Sequence, residues 1–306
     1  MPPSCNSNGF GYKLSFENYL KQAEFSELCG HRIAHWQSLN FPNNHDKDTI
    51  LFIHGFPSAA WDWHFQWKHL ARQFRLLSLD MLGFGLSDKP TKHQYSLLEQ
   101  ADIIQALLAN HGVKQYHILA HDYGDSVAQE LLSRQDDSEN QAKILSTCFL
   151  NGGLFASHHR PLFTQKLLKS RLGGLASHFM NKASLSRGFD KIFAAHSQPS
   201  AHEIDTLWQL IEHNNGKRAL PKLLSYIDER SIHGERWTQS MINTAVPLYF
   251  INGIHDPISG QHMLDHYIDI IPRPRTTALN VGHYPQLEAP EQVLSLYRNF
   301  LTEIRG

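Results

Sequence analysis

The segment Ile118-Leu119-Ala120-His121-Asp122-Tyr123-Gly124-Asp125-Ser126 carries an apolar run into a tight turn, and helix-forming residues 127–132 follow at once. This is the layout of a nucleophile elbow, a strand-to-helix turn that holds one side chain exposed at the end of a sheet. The side chain here is Asp122. A hydroxyl in that place attacks acyl carbon, whereas a carboxylate is suited to displacing a leaving group from an alkyl carbon, leaving an alkyl ester on the chain. Two later residues complete a hydrolytic set. Asp256 follows the apolar run 248–251, and His283 follows the run 279–281. A His oriented by a carboxylate can deprotonate the water that would hydrolyse such an ester. Bland readings exist: Asp122 as a helix cap, and Asp256 before Pro257 as a turn residue. Their strand-end positions favour the chemical ones.

Such side chains need rigid elements to converge them. Short continuous apolar runs at 49–53, 74–79, 117–120, 144–150, 246–251 and 277–281 read as strands buried on both faces. Helical patterns such as 97–109 and 127–132 lie between most of them, which predicts a mostly parallel sheet flanked by helices. An earlier strand pair is expected around the turn Cys29-Gly30, and a polar loop at 43–48. From 154 to 239 the pattern is helical throughout, with pieces at 162–168, 203–212 and 220–227. Gly173-Gly174, Pro199 and Asn214-Asn215-Gly216 punctuate it. The expected organisation is an α/β core over 1–153, a helical cap over 154–239 inserted after the sixth strand, and the second part of the core over 240–306.

Ligands bind beyond the carboxyl ends of strands in an open parallel sheet. The residues standing there include His54-Gly55-Phe56-Pro57, Asp80, Asp122-Tyr123, Asn151, Asp256 and His283. His54 and His121 read as structural hydrogen-bonders, and Asp80 and Asp88 as loop-fixing carboxylates. Asn151 occupies a place where an acid could stand but is uncharged, so it ranks below Asp256.

The chain has 306 residues, a net charge of −1 and no basic run, so neither nucleic acid nor a membrane surface is expected as a partner. No stretch is long and apolar enough to cross a bilayer. Three scattered cysteines (Cys5, Cys29, Cys148) and residues 1–8 without signal-peptide character lead us to expect a soluble cytoplasmic protein, monomer or homodimer. The 21 histidines include His31/His35 and His262/His266 four apart. The first pair falls on an expected strand, where that spacing separates the side chains by roughly 13 Å. The second falls on a helix but lacks the Glu of a two-His zinc motif. We expect no metal and no cofactor.

The sequence resembles α/β-hydrolases of the epoxide hydrolase and haloalkane dehalogenase branch, and within it most the group of mesoderm-specific transcript proteins. The resembling segments are 54–57, 82–90, 121–132, Asn151-Gly152-Gly153 and 283–288. The resemblance covers the core from about residue 50 onward and is weaker in the cap. It implies Asp122 as nucleophile, Asp256 and His283 as its partners, the N–H groups of Phe56 and Tyr123 as an oxyanion hole, and a small hydrophobic substrate with water. Halide-cleaving relatives grip the halide with side-chain N–H donors where this chain has Phe56 and Tyr123. Epoxide hydrolases activate the epoxide oxygen with two cap tyrosines. Tyr226 stands where the second is expected, no Tyr occurs between Tyr123 and Tyr226, and Tyr123 itself is a candidate for the other hydroxyl. Trp208 is a candidate halide donor; His158 and His159 receive no role. The expected activity is therefore epoxide hydrolase-like. The alternatives are a dehalogenase for haloalkanes or halo-acids, and a binding protein with little turnover.

Overall fold

The computed structural model describes residues 14–38, 48–135 and 142–305. Cys5, residues 1–8 and most of the polar loop expected at 43–48 lie outside the described residues. Eight strands form one sheet: β1 (Glu24–Leu28), β2 (His31–Gln37), β3 (Thr49–Ile53), β4 (Arg75–Leu79), β5 (Gln115–His121), β6 (Lys143–Leu150), β7 (Leu248–Gly253) and β8 (Thr276–Leu279). Their order is β1-β2-β4-β3-β5-β6-β7-β8. β2 is antiparallel to both neighbours, and every other pairing is parallel. The sequence Thr-Ile-Leu-Phe-Ile of β3 is buried at all five positions, as a central strand covered on both faces must be.

The register decides where the site forms. Ile53 pairs with Ala120, His121 with Leu150, and Leu150 with Ile251. The carboxyl ends of β3, β5, β6 and β7 thus finish nearly level, and the turns after them meet at one edge.

The helices before the sixth strand are α1 (Phe16–Lys21), α2 (His64–Leu70), α3 (Leu97–Asn110) and α4 (Tyr123–Ser133). Ser96 caps α3 by accepting from the Leu98 N–H at 3.1 Å, satisfying one donor that the helix leaves free. Between β6 and β7 the chain is helical: α5 (Phe163–Lys169), α6 (Gly173–Phe179), α7 (Lys182–Phe189), α8 (Ala201–Glu212), α9 (Leu220–Leu223) and α10 (Tyr226–Asn243). α8 opens with a reciprocal Ser200–Glu203 capping box, and α10 packs along α4. The core closes with α11 (Gln261–Ile270), α12 (Pro285–Glu288) and α13 (Pro290–Glu303).

The structure differs locally from the expectations. The helix expected over 220–227 is two helices broken at Leu224-Ser225, which places Tyr226 at the first residue of α10. Gly173-Gly174 does not interrupt a helix but begins α6, and α10 continues past 239 to Asn243. Among the described residues no helix is long and apolar enough to cross a membrane. Cys29 and Cys148 are unbridged.

Candidate active site

Asp122 sits between β5 and α4 with φ 47° and ψ −103°, a backbone conformation that costs a non-glycine residue on the order of 1–3 kcal/mol. The surrounding structure imposes it. The Asp122 N–H donates to Leu150 O at 3.2 Å. Two positions on, a Cβ at Gly124 would lie 2.5 Å from Ile53 O, so only glycine lets the first turn of α4 approach β3 this closely.

Three groups address the Asp122 carboxylate. The Phe56 N–H donates to Oδ2 at 3.1 Å. His283 Nε2 stands 4.0 Å from the same oxygen, and the Arg230 guanidinium stands 3.6 Å from Oδ1. Tyr123 N–H opens α4, where helix geometry provides no intrahelical acceptor. Burial alone would raise the Asp122 pKa; the facing His283 and Arg230 outweigh it and hold the carboxyl below its usual range.

His283 donates through Nδ1 to Asp256 Oδ2 at 2.7 Å. Asp256 is itself held by the N–H groups of Ile258 (2.8 Å) and Ser259 (3.1 Å), the Ser259 hydroxyl (2.7 Å) and Asn151 Nδ2 (3.1 Å). Asn151, weighed above as an alternative acid, therefore hydrogen-bonds the acid and ties it to the Gly253 backbone. Burial disfavours the Asp256 charge, but His283 and these donors overrule it and lower the pKa to about 2. Burial also disfavours a charged His283, and the Asp256 and Asp122 carboxylates overrule that in turn, raising its pKa to about 9. The four groups form a buried, charge-balanced cluster of two carboxylates, an imidazolium and a guanidinium, with Asp122 and His283 each 2% exposed.

The helical segment supplies the far wall. The Tyr226 ring lies 6.2 Å from Phe56 and 5.1 Å from Tyr123, centroid to centroid. Burial raises the pKa of its hydroxyl, which stays protonated, and Gln165 Nε2 donates to it at 3.4 Å. The stretch between α7 and α8 reaches the histidine loop directly, since Ile192 O accepts from the His283 N–H at 2.8 Å. Glu288 ties the two together, accepting from the N–H groups of Gly282, Tyr284 and Ala194.

The structure thus brings Phe56, Tyr123, Asp122, Asp256, His283 and Tyr226 together. The Tyr123 hydroxyl, considered as a second donor, faces Gln100 on α3, so it does not point at the carboxylate. Trp208 lies on α8 beneath Lys217, not at the elbow. His54 and His121 bond the backbone, His54 bridging Gly55 O and the Met81 N–H and His121 donating to His283 O. Burial lowers their pKa values to about 4 and 3, so both rings are neutral. Asp80 accepts from Tyr19, Ala60 and Leu86, and Asp88 from Arg32, as loop-fixing groups do.

Arg230 is the residue that the sequence reading missed. It is 2% exposed and donates to Ser126 Oγ at 2.7 Å, Asp122 O at 2.9 Å and His159 Nδ1 at 3.3 Å. Its signal was present: it stands four residues after Tyr226, on the same helix face. The Asn-Gly-Gly turn makes room for it, as a Cβ at Gly153 would lie 2.4 Å from its guanidinium.

Neither four-apart histidine pair forms a ligand set. His35 bonds Ser26, and His266 stacks on His158 at 3.7 Å. His31 instead meets His93 and Glu99, whose ligand atoms all lie within 4.8 Å of one another. Among the described residues these three form the one such group that could hold a divalent ion, with His31 at the start of β2, His93 in the stretch before α3 and Glu99 in the first turn of α3.

A chain with this sheet and these strand-end residues belongs to the α/β-hydrolase fold family, which matches residues 48–290. It is similar to the mesoderm-specific transcript protein of Mus musculus, with 39% identity over 296 residues, 94% of this chain and 88% of that protein. Among solved structures it is similar to haloalkane dehalogenase DbeA of Bradyrhizobium elkani, with a TM-score of 0.77, 17% identity, and coverage of 92% of this chain and 98% of that one. It is also similar to the epoxide hydrolase CorEH, with a TM-score of 0.76, 16% identity, and coverage of 92% and 99%. At such identities the structural likenesses speak for the fold and not for the reaction.

Proposed function

We propose that the protein is a hydrolase working through an Asp122 alkyl ester, with a small hydrophobic epoxide as the substrate class and water as the second substrate. The observation that carries this reading is the Asp122 carboxylate, ionised on a strained elbow and within 4.0 Å of a histidine that Asp256 holds at 2.7 Å. In the first step an Asp122 oxygen attacks an epoxide carbon, the C–O bond of the ring breaks, and Tyr226 protonates the released oxygen. In the second, His283 takes a proton from water and the hydroxide adds to the ester carbonyl, with the N–H groups of Phe56 and Tyr123 holding the oxyanion. The intermediate then collapses, the acyl C–O bond to the alkyl group breaks, and the departing alkoxide takes the proton from His283 to give the diol.

The halide alternative draws less support, because Phe56 and Tyr123 offer no side-chain N–H at the carboxylate and Trp208 lies elsewhere. A binding protein with little turnover would need none of the charge balance around Asp122. The relatives named as epoxide hydrolase and dehalogenase share the fold within which either reaction would run. The test is to incubate His283→Gln with styrene oxide and weigh the protein. A stoichiometric adduct on Asp122 is expected; an unmodified mass with styrene oxide and a wider epoxide panel would sink the reading.

A further inference from the structure

An alkoxide leaving an epoxide is a poor leaving group, so the group that protonates it must itself tolerate becoming an anion. A buried tyrosine alone is badly placed for that, since low-dielectric surroundings penalise the tyrosinate. Tyr226 is fully buried and has no tyrosine partner aimed at the carboxylate. It has something else. Arg230 lies over its ring, 4.5 Å from the centroid, while Gln165 Nε2 donates to the hydroxyl oxygen at 3.4 Å. With the Gln165 N–H donating to the oxygen, the hydroxyl's own proton is left to donate elsewhere. The rings nearest to it belong to Phe56 and Tyr123, the two residues that flank the Asp122 carboxylate.

We propose that Arg230 is the positioning and charge-stabilising residue that makes Tyr226 a proton donor, so that one tyrosine and one guanidinium serve in place of two tyrosines. The inference rests on the Asp122 alkyl-ester reading and adds to it the origin of the acid. Its physical basis is the path of the negative charge. Before reaction that charge sits on Asp122, 3.6 Å from the guanidinium. Attack on the epoxide carbon forms one C–O bond and breaks another. The ring oxygen takes the Tyr226 proton, so the charge disappears from Asp122 and reappears on the Tyr226 oxygen. Arg230 adjoins both ends of that transfer and never loses an anionic partner, which avoids the cost of an unpaired buried charge. Ester hydrolysis then returns Asp122 as a carboxylic acid, whose proton restores Tyr226 and closes the balance of epoxide plus water to diol.

Nothing else around Arg230 competes for this role. His159 accepts one guanidinium N–H, and burial followed by the charge of Arg230 lowers its pKa to about 3, so it is neutral. Asp125, buried nearby, has its pKa raised well above the usual range by burial and then by Asp122, which disfavours its charge. Asp122 is thus the anion that Arg230 faces at rest.

The experiment compares two electrophiles of one carbon skeleton, styrene oxide and 1-iodo-2-phenylethane, because iodide departs without a proton. Rates of Asp122 adduct formation are measured by mass in the His283→Gln background, with and without Arg230→Gln. The epoxide-to-iodide rate ratio is expected to fall about a hundredfold, the scale of a general-acid contribution. Arg230→Lys, which keeps the charge but not the fork, should recover part of the ratio. In a Tyr226→Phe background, Arg230→Gln should leave the ratio where Tyr226→Phe has already put it, and melting curves of every variant check folding. Equal losses for both electrophiles would mean that Arg230 only orients Asp122 and would overturn the inference alone. So would a ratio that Arg230→Gln still lowers when Tyr226 is absent. No adduct with either electrophile overturns the alkyl-ester reading and the inference with it.

Discussion

The two halves of the site are built in different ways. In the α/β core, Phe56, Asp122, Asn151, Asp256 and His283 each stand within a few residues of a strand's carboxyl end, and the strand register brings them together. Their positions are set by backbone geometry that many hydrogen bonds over-determine. In the helical segment, Gln165, Tyr226 and Arg230 come from α5 and α10, and they reach the site through side chains packed across a seam. On the proposed function, the core half would set the reaction type and the helical half would select which leaving group the reaction can expel. Variants in the core are therefore expected to stop chemistry for every substrate, and variants in the helical half to change the ranking of substrates.

Asp122→Asn is the sharpest break. The amide keeps the shape and the Phe56 contact but is a far poorer nucleophile, so turnover should fall on the order of 10⁴-fold or more with no covalent adduct by mass. Full activity, after checking that the amide has not deamidated, would move the nucleophile elsewhere. Asp256→Asn should cost on the order of 10³-fold by removing the anion that orients and charges His283. The loss should fall on the second half-reaction, so the Asp122 ester accumulates and is visible by mass. A loss confined to ester formation would contradict the role given to His283. On the other side of the seam, Tyr226→Phe should lower epoxide turnover about 10–100-fold while leaving the melting temperature nearly unchanged; an unchanged diol-formation rate would remove Tyr226 from the reaction.

The same contrast governs how much of the site is legible in the amino-acid sequence. Asp122, Asp256 and His283 are legible because strand ends announce themselves as short apolar runs, and only a few residues after each run can reach the sheet edge. Tyr226 is legible only by its place late in the helical stretch, and Arg230 only by its four-residue spacing from Tyr226, which does not reveal its burial. A helix face does not reveal which partner it meets, and an arginine in a helix is by default solvated. The burial of Arg230 depends on Ser126, His159 and the Asn-Gly-Gly turn arriving from three separate segments. Likewise Asn151 and Glu288 become organisers of the acid and of the histidine loop only once β6, β7 and the stretch after α7 are in place.

The pH dependence separates the two half-reactions. In the resting protein His283 carries a proton up to about pH 9, because burial is overruled by Asp256 and by the facing Asp122. On the proposed reaction, esterifying Asp122 would remove one of the carboxylate charges that raise the His283 pKa, so the His283 pKa should fall in the intermediate. Ester formation needs Asp122 ionised and Tyr226 protonated; the Asp122 pKa lies below the usual range, and burial raises that of Tyr226. Its rate should be flat between about pH 5 and 8, whereas ester hydrolysis should rise with pH to a midpoint below 9. Quenched-flow mass measurements across that range distinguish the two, and a hydrolysis step that instead falls with rising pH would mean that His283 acts as an acid.

The smallest effect probes the seam itself. Glu229, the neighbour of Arg230, accepts from the Ser96 hydroxyl at 2.8 Å and the Leu97 N–H at 2.9 Å, so α10 caps the start of α3 across the seam. A carboxylate at a helix N-terminus is favoured both by the free N–H groups and by the helix dipole. Glu229→Ala should cost about 1 kcal/mol and lower the melting temperature by roughly 2 °C. If the two halves were independent, the loss would be confined to stability. If α10 is instead held in register by this cap, Tyr226 and Arg230 shift with it, and the epoxide-to-iodide ratio falls while alkylation by the iodide holds. Reading both quantities on one variant decides whether the helical half is anchored at Glu229 or by the Arg230 contacts to the elbow.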